Sequence, residues 1–220
     1  MSDAATLMWE PREVLHEGAE ATVTEGFWLG RKAVLKSRRP RSYRHPDLDR
    51  RLTKQRLSVE ARVLSKLSIS GFPCPSLIHL DQENSLILMT KVEGSTLYDS
   101  LKSGEASSKE LRDLGSLIRR LHVDGVSHGD LTTHNVMISE DGNLSLIDFG
   151  LSRQSPELEH MGLDLQVLNE CLGASHSTIL KGIETVCEGY LSEGGFSNSE
   201  SSEAVIDRFK KITSRVRYHG

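Results

Sequence analysis

Two short polar segments set either side of a single hairpin pattern constrain this chain more than any other feature. The first is His128-Gly129-Asp130-Leu131-Thr132-Thr133-His134-Asn135, and the second is Ile147-Asp148-Phe149-Gly150. Between them, Val136-Met137-Ile138 and Leu144-Ser145-Leu146-Ile147 read as paired strands, with Glu140-Asp141-Gly142-Asn143 as their turn. Asp130 and Asn135 share one short loop, and Asp148 closes the apolar strand that follows. Phosphoryl transfer needs this kind of set: a carboxylate to orient an attacking hydroxyl or water and take its proton, and side-chain oxygens to hold a metal against the phosphates. Either segment alone also suits an ordinary capped turn. Both together, at this spacing, do not.

The rest of the chain is ordered around them. Short β-prone pieces at Val14-Leu15, Thr22-Val23, Phe27-Trp28 and Ala33-Val34-Leu35-Lys36 are separated by glycines, which predicts an antiparallel meander. Residues 48–67 carry Leu52, Leu57, Ala61, Leu64 and Leu67 at roughly helical spacing, and Gly71-Phe72-Pro73-Cys74-Pro75 breaks that helix. Leu77-Ile78-His79-Leu80 and residues 85–90 predict a further hairpin. Beyond Ser95 helices dominate: one capped by Ser107 or Ser108 with Leu111, Leu114, Leu117, Ile118 and Leu121 on its apolar face, then patterns at 162–172, 176–191 and 203–215, with a loop at 194–199 before the last. Strands first and helices after predict an α+β architecture in two lobes.

Composition narrows the setting. The 220 residues carry a formal charge of −4, which argues against a general nucleic-acid coat. Yet residues 31–56 hold eleven of the 27 basic residues against Asp47 and Asp49 alone. Such a block either steers a polyanion or forms a solvated helix face. Cys74, Cys171 and Cys187 are widely spaced with no CxxC, so neither a zinc site nor a disulfide framework is expected, only buried thiols in a reducing compartment. With no apolar run behind Met1-Ser2-Asp3 and none near the ~20 residues of a membrane span, a cytoplasmic or nuclear protein without membrane attachment is expected.

The Asp130–Asn135 spacing and the Asp-Phe-Gly segment resemble the protein kinases, and the resemblance implies roles for other residues. Lys36 ends a Val-Ala-Ile-Lys-like strand and would pair with ATP phosphates, held by Glu60 of the next helix. Gly18, Ala19, Glu20 and Ala21 stand where kinases carry a glycine-rich loop, with a single glycine kept. Met89 and Val92 fall at the expected hinge, whose backbone would bond adenine. Asp130 would be the proton acceptor, and Asn135 and Asp148 the Mg²⁺ ligands. The fold implied is a single kinase-like domain over 1–220: an N-lobe to about residue 91, a hinge at 91–95 and a C-lobe from about 96. Two features are stripped down. Gly129 replaces the usual Arg of the catalytic loop, and Ser155-Pro156-Glu157 comes too early to close a full activation segment.

More specifically, the chain resembles the small atypical kinase subunit of the KEOPS complex. The matching stretches are Gly18-Ala19-Glu20-Ala21, Val34-Leu35-Lys36, Tyr43-Arg44-His45-Pro46-Asp47-Leu48-Asp49, Val92-Glu93-Gly94, the Thr132-Thr133 pair in the catalytic loop, Ile147-Asp148-Phe149-Gly150-Leu151-Ser152 and Leu163-Asp164-Leu165. The resemblance implies ATPase and weak Ser/Thr kinase activity supporting threonylcarbamoyladenosine modification of tRNA. It implies as partners a metalloprotein that performs the transfer, a small regulatory subunit and tRNA, with Arg38, Arg39 and Arg41 on a tRNA-facing or partner-facing surface. The chain departs from the family at His134, where Ser is usual, at Glu159-His160-Met161 in place of Glu-Asp-Lys, and in a less basic terminal run, Arg215-Val216-Arg217-Tyr218-His219-Gly220. Two other readings stay open on the residues alone: a small-molecule phosphotransferase of the aminoglycoside or choline kinase type, and a kinase-fold scaffold.

Overall fold

A turn closed by the Gly18 N–H on the Ala21 carbonyl, at 3.0 Å, starts the meander. It joins β1 (Trp9–Glu17) to β2 (Ala21–Trp28), and Leu29 and Gly30, both at positive φ, turn β2 into β3 (Arg31–Arg38). The coordinates, a computed structural model, describe residues 8–18, 21–39, 45–193 and 200–217. Two units emerge, one formed by 1–69 with 74–92 and one by 70–73 with 93–220.

In the first unit the strands make an antiparallel sheet in the order β1-β2-β3-β5-β4, where β4 is Leu77–Asp81 and β5 is Leu86–Thr90. Lys36 lies opposite Ile87 in the central β3–β5 register. The one long helix, α1 (Pro46–Ser70), runs past both predicted ends. Proline is well tolerated in a first helical turn, where its missing N–H costs nothing, and Asp47 and Asp49 there suit the positive end of the dipole. Gly71, at φ +68°, follows its end in the left-handed conformation usual beyond a helix terminus. Leu57, Ala61, Val63, Leu64 and Leu67 are its buried apolar residues.

The second unit opens with β6 (Ser95–Thr96) and a helix that the apolar pattern missed, α2 (Leu97–Ser103). Its caps decide it: the Thr96 hydroxyl accepts from the Asp99 N–H, and Gly104 ends it at φ +80°. The helix expected from Ser107 or Ser108 is α3 (Ser108–Val123), closed by a Ser107–Glu110 capping box. Strand β7 (Val126–Ser127) pairs with β10 (Arg153–Gln154), and the predicted hairpin is β8 (Val136–Ile138) with β9 (Leu144–Leu146). Three helices follow: α4 (Leu158–Ser175), α5 (Gly182–Ser192) and α6 (Ser202–Arg217). The pattern at 176–191 becomes helical only from Gly182, because Lys181, at φ +59°, takes the left-handed conformation just before it and interrupts any earlier helix. The loop expected at 194–199 lies outside the described residues.

Helices α3 and α5 cross at two glycines. A Cβ on Gly115 would sit 2.0 Å from the Val186 carbonyl oxygen, and one on Gly189 would sit 1.8 Å from that of Arg112. Leu111, Leu114, Ile118, Leu121, Leu165, Leu168, Val186 and Tyr190 are among the buried residues of this unit. The three cysteines are free and half-buried rather than fully buried, and burial pushes the Cys74 thiol up to about 12 and that of Cys187 to about 11. Among the described residues no helix is long and apolar enough to cross a membrane.

Candidate active site

Strand periodicity puts Lys36 and Arg38 on the same face of β3, and both reach Glu60 on α1. The Lys36 Nζ donates to one carboxylate oxygen at 3.0 Å and an Arg38 Nη to the other at 3.1 Å. Glu60 is 1% exposed. The expected Lys36–Glu60 pair is therefore present in the first unit, and Arg38 is a third member that sequence reasoning assigned to an outer surface. Its place on the face of Lys36 was the available signal. Arg39 is exposed and pairs with Glu17, while Arg41 lies outside the described residues.

Of the expected loop over the phosphates, Gly18 and Ala21 close the β1–β2 turn. Ala19 and Glu20 lie outside the described residues. A Cβ on Gly18 would meet the end of the exposed His16 side chain at 2.7 Å, a contact that side chain can relieve by turning away. Met89 is buried on β5, opposite Val34 of β3, and Val92 ends the first unit half-buried.

In the second unit, Asp130 and Asn135 sit on the loop between β7 and β8, with a 3₁₀ turn (Thr133–Asn135) leading into the strand. The Asn135 side-chain amide donates to the Asp130 carbonyl at 2.8 Å and approaches its carboxylate at 3.4 Å. With the nitrogen so committed, the side-chain oxygen is the atom Asn135 has for a metal. The Ile147 N–H donates to the Asn135 carbonyl at 3.0 Å, which ties the loop to the residue before Asp148. Asp148 holds φ +62°, uncommon for a non-glycine residue.

His128 links the two segments through its ring. Its Nε2 lies 3.0 Å from the Ile147 carbonyl and must donate to it, which leaves Nδ1 to accept from the Asp130 N–H at 3.3 Å. The Ser152 hydroxyl donates to the His128 carbonyl at 3.0 Å. Gly129 is needed here: it holds φ +81°, and a Cβ would lie 2.2 Å from the Leu151 carbonyl oxygen. The glycine that replaces the usual Arg thus lets residues 150–152 pass against the loop. As expected from the early Ser155-Pro156-Glu157, α4 opens directly at Leu158.

Asp164 on α4, quoted above only as part of a matching stretch, is a member of the candidate site to which sequence reasoning gave no role. It is 1% exposed, and its carboxylate accepts from the His128 N–H at 2.6 Å and the Gly129 N–H at 2.8 Å. His122 lies 3.2 Å from the same carboxylate through Nε2, and its Nδ1 lies 2.8 Å from the Tyr190 hydroxyl. An N–H facing the carboxylate sets the tautomer, so the Tyr190 hydroxyl donates to Nδ1. An acid inside the apolar run Met161-Gly162-Leu163-Asp164-Leu165 was the visible signal. A second set of contacts fastens the loop at Thr133, whose hydroxyl lies 3.0 Å from His176 Nε2 and 3.4 Å from the Cys171 sulfur. His134, the departure from the family, is exposed and stacks on Tyr98 with ring centroids 3.9 Å apart.

A RIO-domain family model matches residues 24–167. The chain belongs to the RIO-domain family. It is 34% identical over 216 residues to the mouse protein named EKC/KEOPS complex subunit Tp53rkb, covering 93% of this chain and 86% of that one. It is 37% identical over 186 residues to an Archaeoglobus fulgidus protein named "Probable serine/threonine-protein kinase BUD32 homolog", covering 84% and 88%. A Methanothermobacter thermautotrophicus protein named "Probable bifunctional tRNA threonylcarbamoyladenosine biosynthesis protein" is 34% identical over 209 residues, covering 94% of this RIO-domain chain but 37% of that protein. The chain thus spans little more than a third of the bifunctional archaeal relatives' length. The crystal structure of a Rio2 kinase–ADP/Mg²⁺–phosphoaspartate complex from Chaetomium thermophilum resembles it with a TM-score of 0.63 at 16% identity, over 99% of this chain and 74% of that one. The fold is protein-kinase-like, with a sheet-rich N-lobe and a helical C-lobe.

The donor set fits magnesium bound with phosphate. Among the described residues no cluster of three or more His, Cys, Asp and Glu side chains could hold a metal. Mg²⁺ does not need one: it takes one or two protein ligands and completes its octahedron with phosphate oxygens and water. A carboxylate at Asp148 and an amide oxygen at Asn135 suit that role.

Proposed function

We propose that this chain is a Mg-ATP-dependent phosphotransferase and ATPase, with Ser/Thr kinase capacity, that serves a KEOPS assembly in threonylcarbamoyladenosine modification of tRNA. The observation that carries the reading is the intact set of Lys36, Glu60, Asp130, Asn135 and Asp148 in a RIO-domain chain that is 34% identical to a named KEOPS subunit. Mg²⁺, when bound, would supply positive charge to offset that of the phosphates. In this reading Asn135 and Asp148 hold it, Lys36 pairs with the phosphates, and Asp130 accepts the proton of the attacking hydroxyl or water. Gly18, Ala21, Met89 and Val92 are proposed for the nucleotide side of the site. The metalloprotein that transfers the threonylcarbamoyl group and a small regulatory subunit are the proposed protein partners.

For tRNA the proposed surface is the outer side of α1 rather than the arginines at the end of β3. Arg38 is buried, but the outer side of α1 carries Arg50, Arg51, Lys54 and Arg62 exposed. Of the helix's acids, Asp49 and Glu60 are buried, and Asp47 lies 3.9 Å from Arg50 near the helix start. The acids that would offset this charge in the sequence are thus largely withdrawn from the exposed face, which suits a phosphodiester backbone.

The test is phosphate release from Mg-ATP, measured for the chain alone and with the metalloprotein and tRNA. A low rate that rises several-fold in the mixture is expected. A rate indifferent to both additions, together with phosphorylation of a small alcohol by the pure protein, would replace this reading with the small-molecule kinase.

A further inference from the structure

A kinase-like Lys–Glu pair needs one cation and one carboxylate, yet here the carboxylate has two cations. Glu60 gives one oxygen to Lys36 at 3.0 Å and the other to Arg38 at 3.1 Å. All three side chains are buried, with 8%, 7% and 1% of the Lys36, Arg38 and Glu60 side chains exposed. A lysine alone is a flexible point charge, so a pair built on it has two loose ends: the lysine stem, and the helix that carries the glutamate. Arginine brings a planar, permanently charged fork on a stem rooted two residues along the same strand. Both oxygens of Glu60 are then satisfied from β3, and the carboxylate cannot turn without losing one of them. The helix is pinned to the strand at the point where Lys36 must be held.

We propose that Arg38 is a positioning residue for the nucleotide phosphates: it fixes Glu60, and through Glu60 the ammonium of Lys36, so that the pair stands assembled without a helix movement to complete it. This rests on the nucleotide reading above and adds a residue to it.

The test separates phosphate positioning from mere structural support. Mg-ATP and adenosine affinities are measured by calorimetry for wild type, Arg38→Gln, Lys36→Met and the double variant, with thermal melts as the check on folding. Arg38→Gln is expected to weaken Mg-ATP about tenfold and leave adenosine within about twofold, because adenosine has no phosphate for Lys36 to meet. The double variant is expected to bind Mg-ATP hardly less well than Lys36→Met, since the two residues act as one unit. A folded Arg38→Gln protein with wild-type Mg-ATP affinity overturns the proposal, as do equal losses for ATP and adenosine or fully additive losses in the double variant. If the Gln variant does not fold, Arg38→Lys is read in the same way: it keeps the charge and loses the fork, so several-fold weaker Mg-ATP with unchanged adenosine is expected, and unchanged Mg-ATP overturns the proposal. Wild-type protein that binds neither ligand would sink the nucleotide reading itself, a result distinct from all of these.

Discussion

At the residue scale, most polar groups of the candidate site are held by named partners, and removal of single atoms is informative. Asp148 offers the carboxylate proposed to meet the metal. Asp148→Asn keeps shape and loses charge, so ATP turnover is expected to fall below about a tenth of wild type, read as phosphate release. Asp164 acts one step further away. Asparagine there turns an N–H₂ towards a group that now donates, either a loop amide or His122. Asp164→Asn is expected to cost about 3 kcal/mol in urea unfolding and to slow turnover by about 100-fold through misplacement of Asp130. His176 makes a pH-dependent contribution. Burial, then the charges of Lys102 and His134, hold its pKa below the ordinary histidine value. The unfolded chain therefore takes up this proton first as pH falls. The stability His176 adds is present above the unfolded value of about 6.5 and is lost as pH drops from there through the lowered folded value. Between about pH 7 and pH 5 the melting temperature of wild type should fall more steeply with falling pH than that of His176→Gln, in which the titrating ring is gone.

At the element scale, the helical unit is organised by two close approaches. One is the crossing of α3 and α5 at Gly115 and Gly189, where backbone meets backbone. Gly189→Ala sets a methyl group against the Arg112 carbonyl, and the helices must separate to admit it. A loss of about 1–3 kcal/mol is expected in denaturant unfolding. Tyr190 follows directly in the chain and bonds His122, so turnover should fall along with stability. The other approach is Gly129 against Leu151. Leucine spacing announced α3, whereas α2 is set by Thr96 and Gly104, cap residues around a segment too short for a periodic pattern to show.

At the scale of the whole molecule, charge is distributed by the fold rather than by composition. A chain of net −4 presents an exposed helix face bearing Arg50, Arg51, Lys54 and Arg62. Reversing these four to Glu should weaken tRNA binding by the assembled complex and lower the slope of log affinity against log salt by about 0.7–0.9 for each phosphate no longer neutralised. Filter binding across a salt series measures both. An unchanged slope would make this face solvated, and a loss of protein assembly without loss of tRNA affinity would make it a partner surface.

The amino-acid sequence by itself determined most of the element types, the two loops at 128–135 and 147–150, and the hairpin between them, because these depend on local periodicity, turn chemistry and short spacings. Lys36 and Glu60 were legible as well, but only through the kinase resemblance carried by the two loops, since a lysine on an apolar strand and an acid in the next helix say little by themselves. What only the tertiary structure decided is where charged side chains point. Arg38 and Arg39 are neighbours of equal charge, yet the strand sends Arg38 into Glu60, while Arg39, just past the strand's end, is exposed beside Glu17. Asp164 looks like an odd acid in an apolar helix until two loop amides and His122 are found around it. Gly129 reads as a missing arginine until the Leu151 carbonyl appears 2.2 Å from the atom it lacks. Burial of a charge is settled by partners from distant segments, and no local pattern records them.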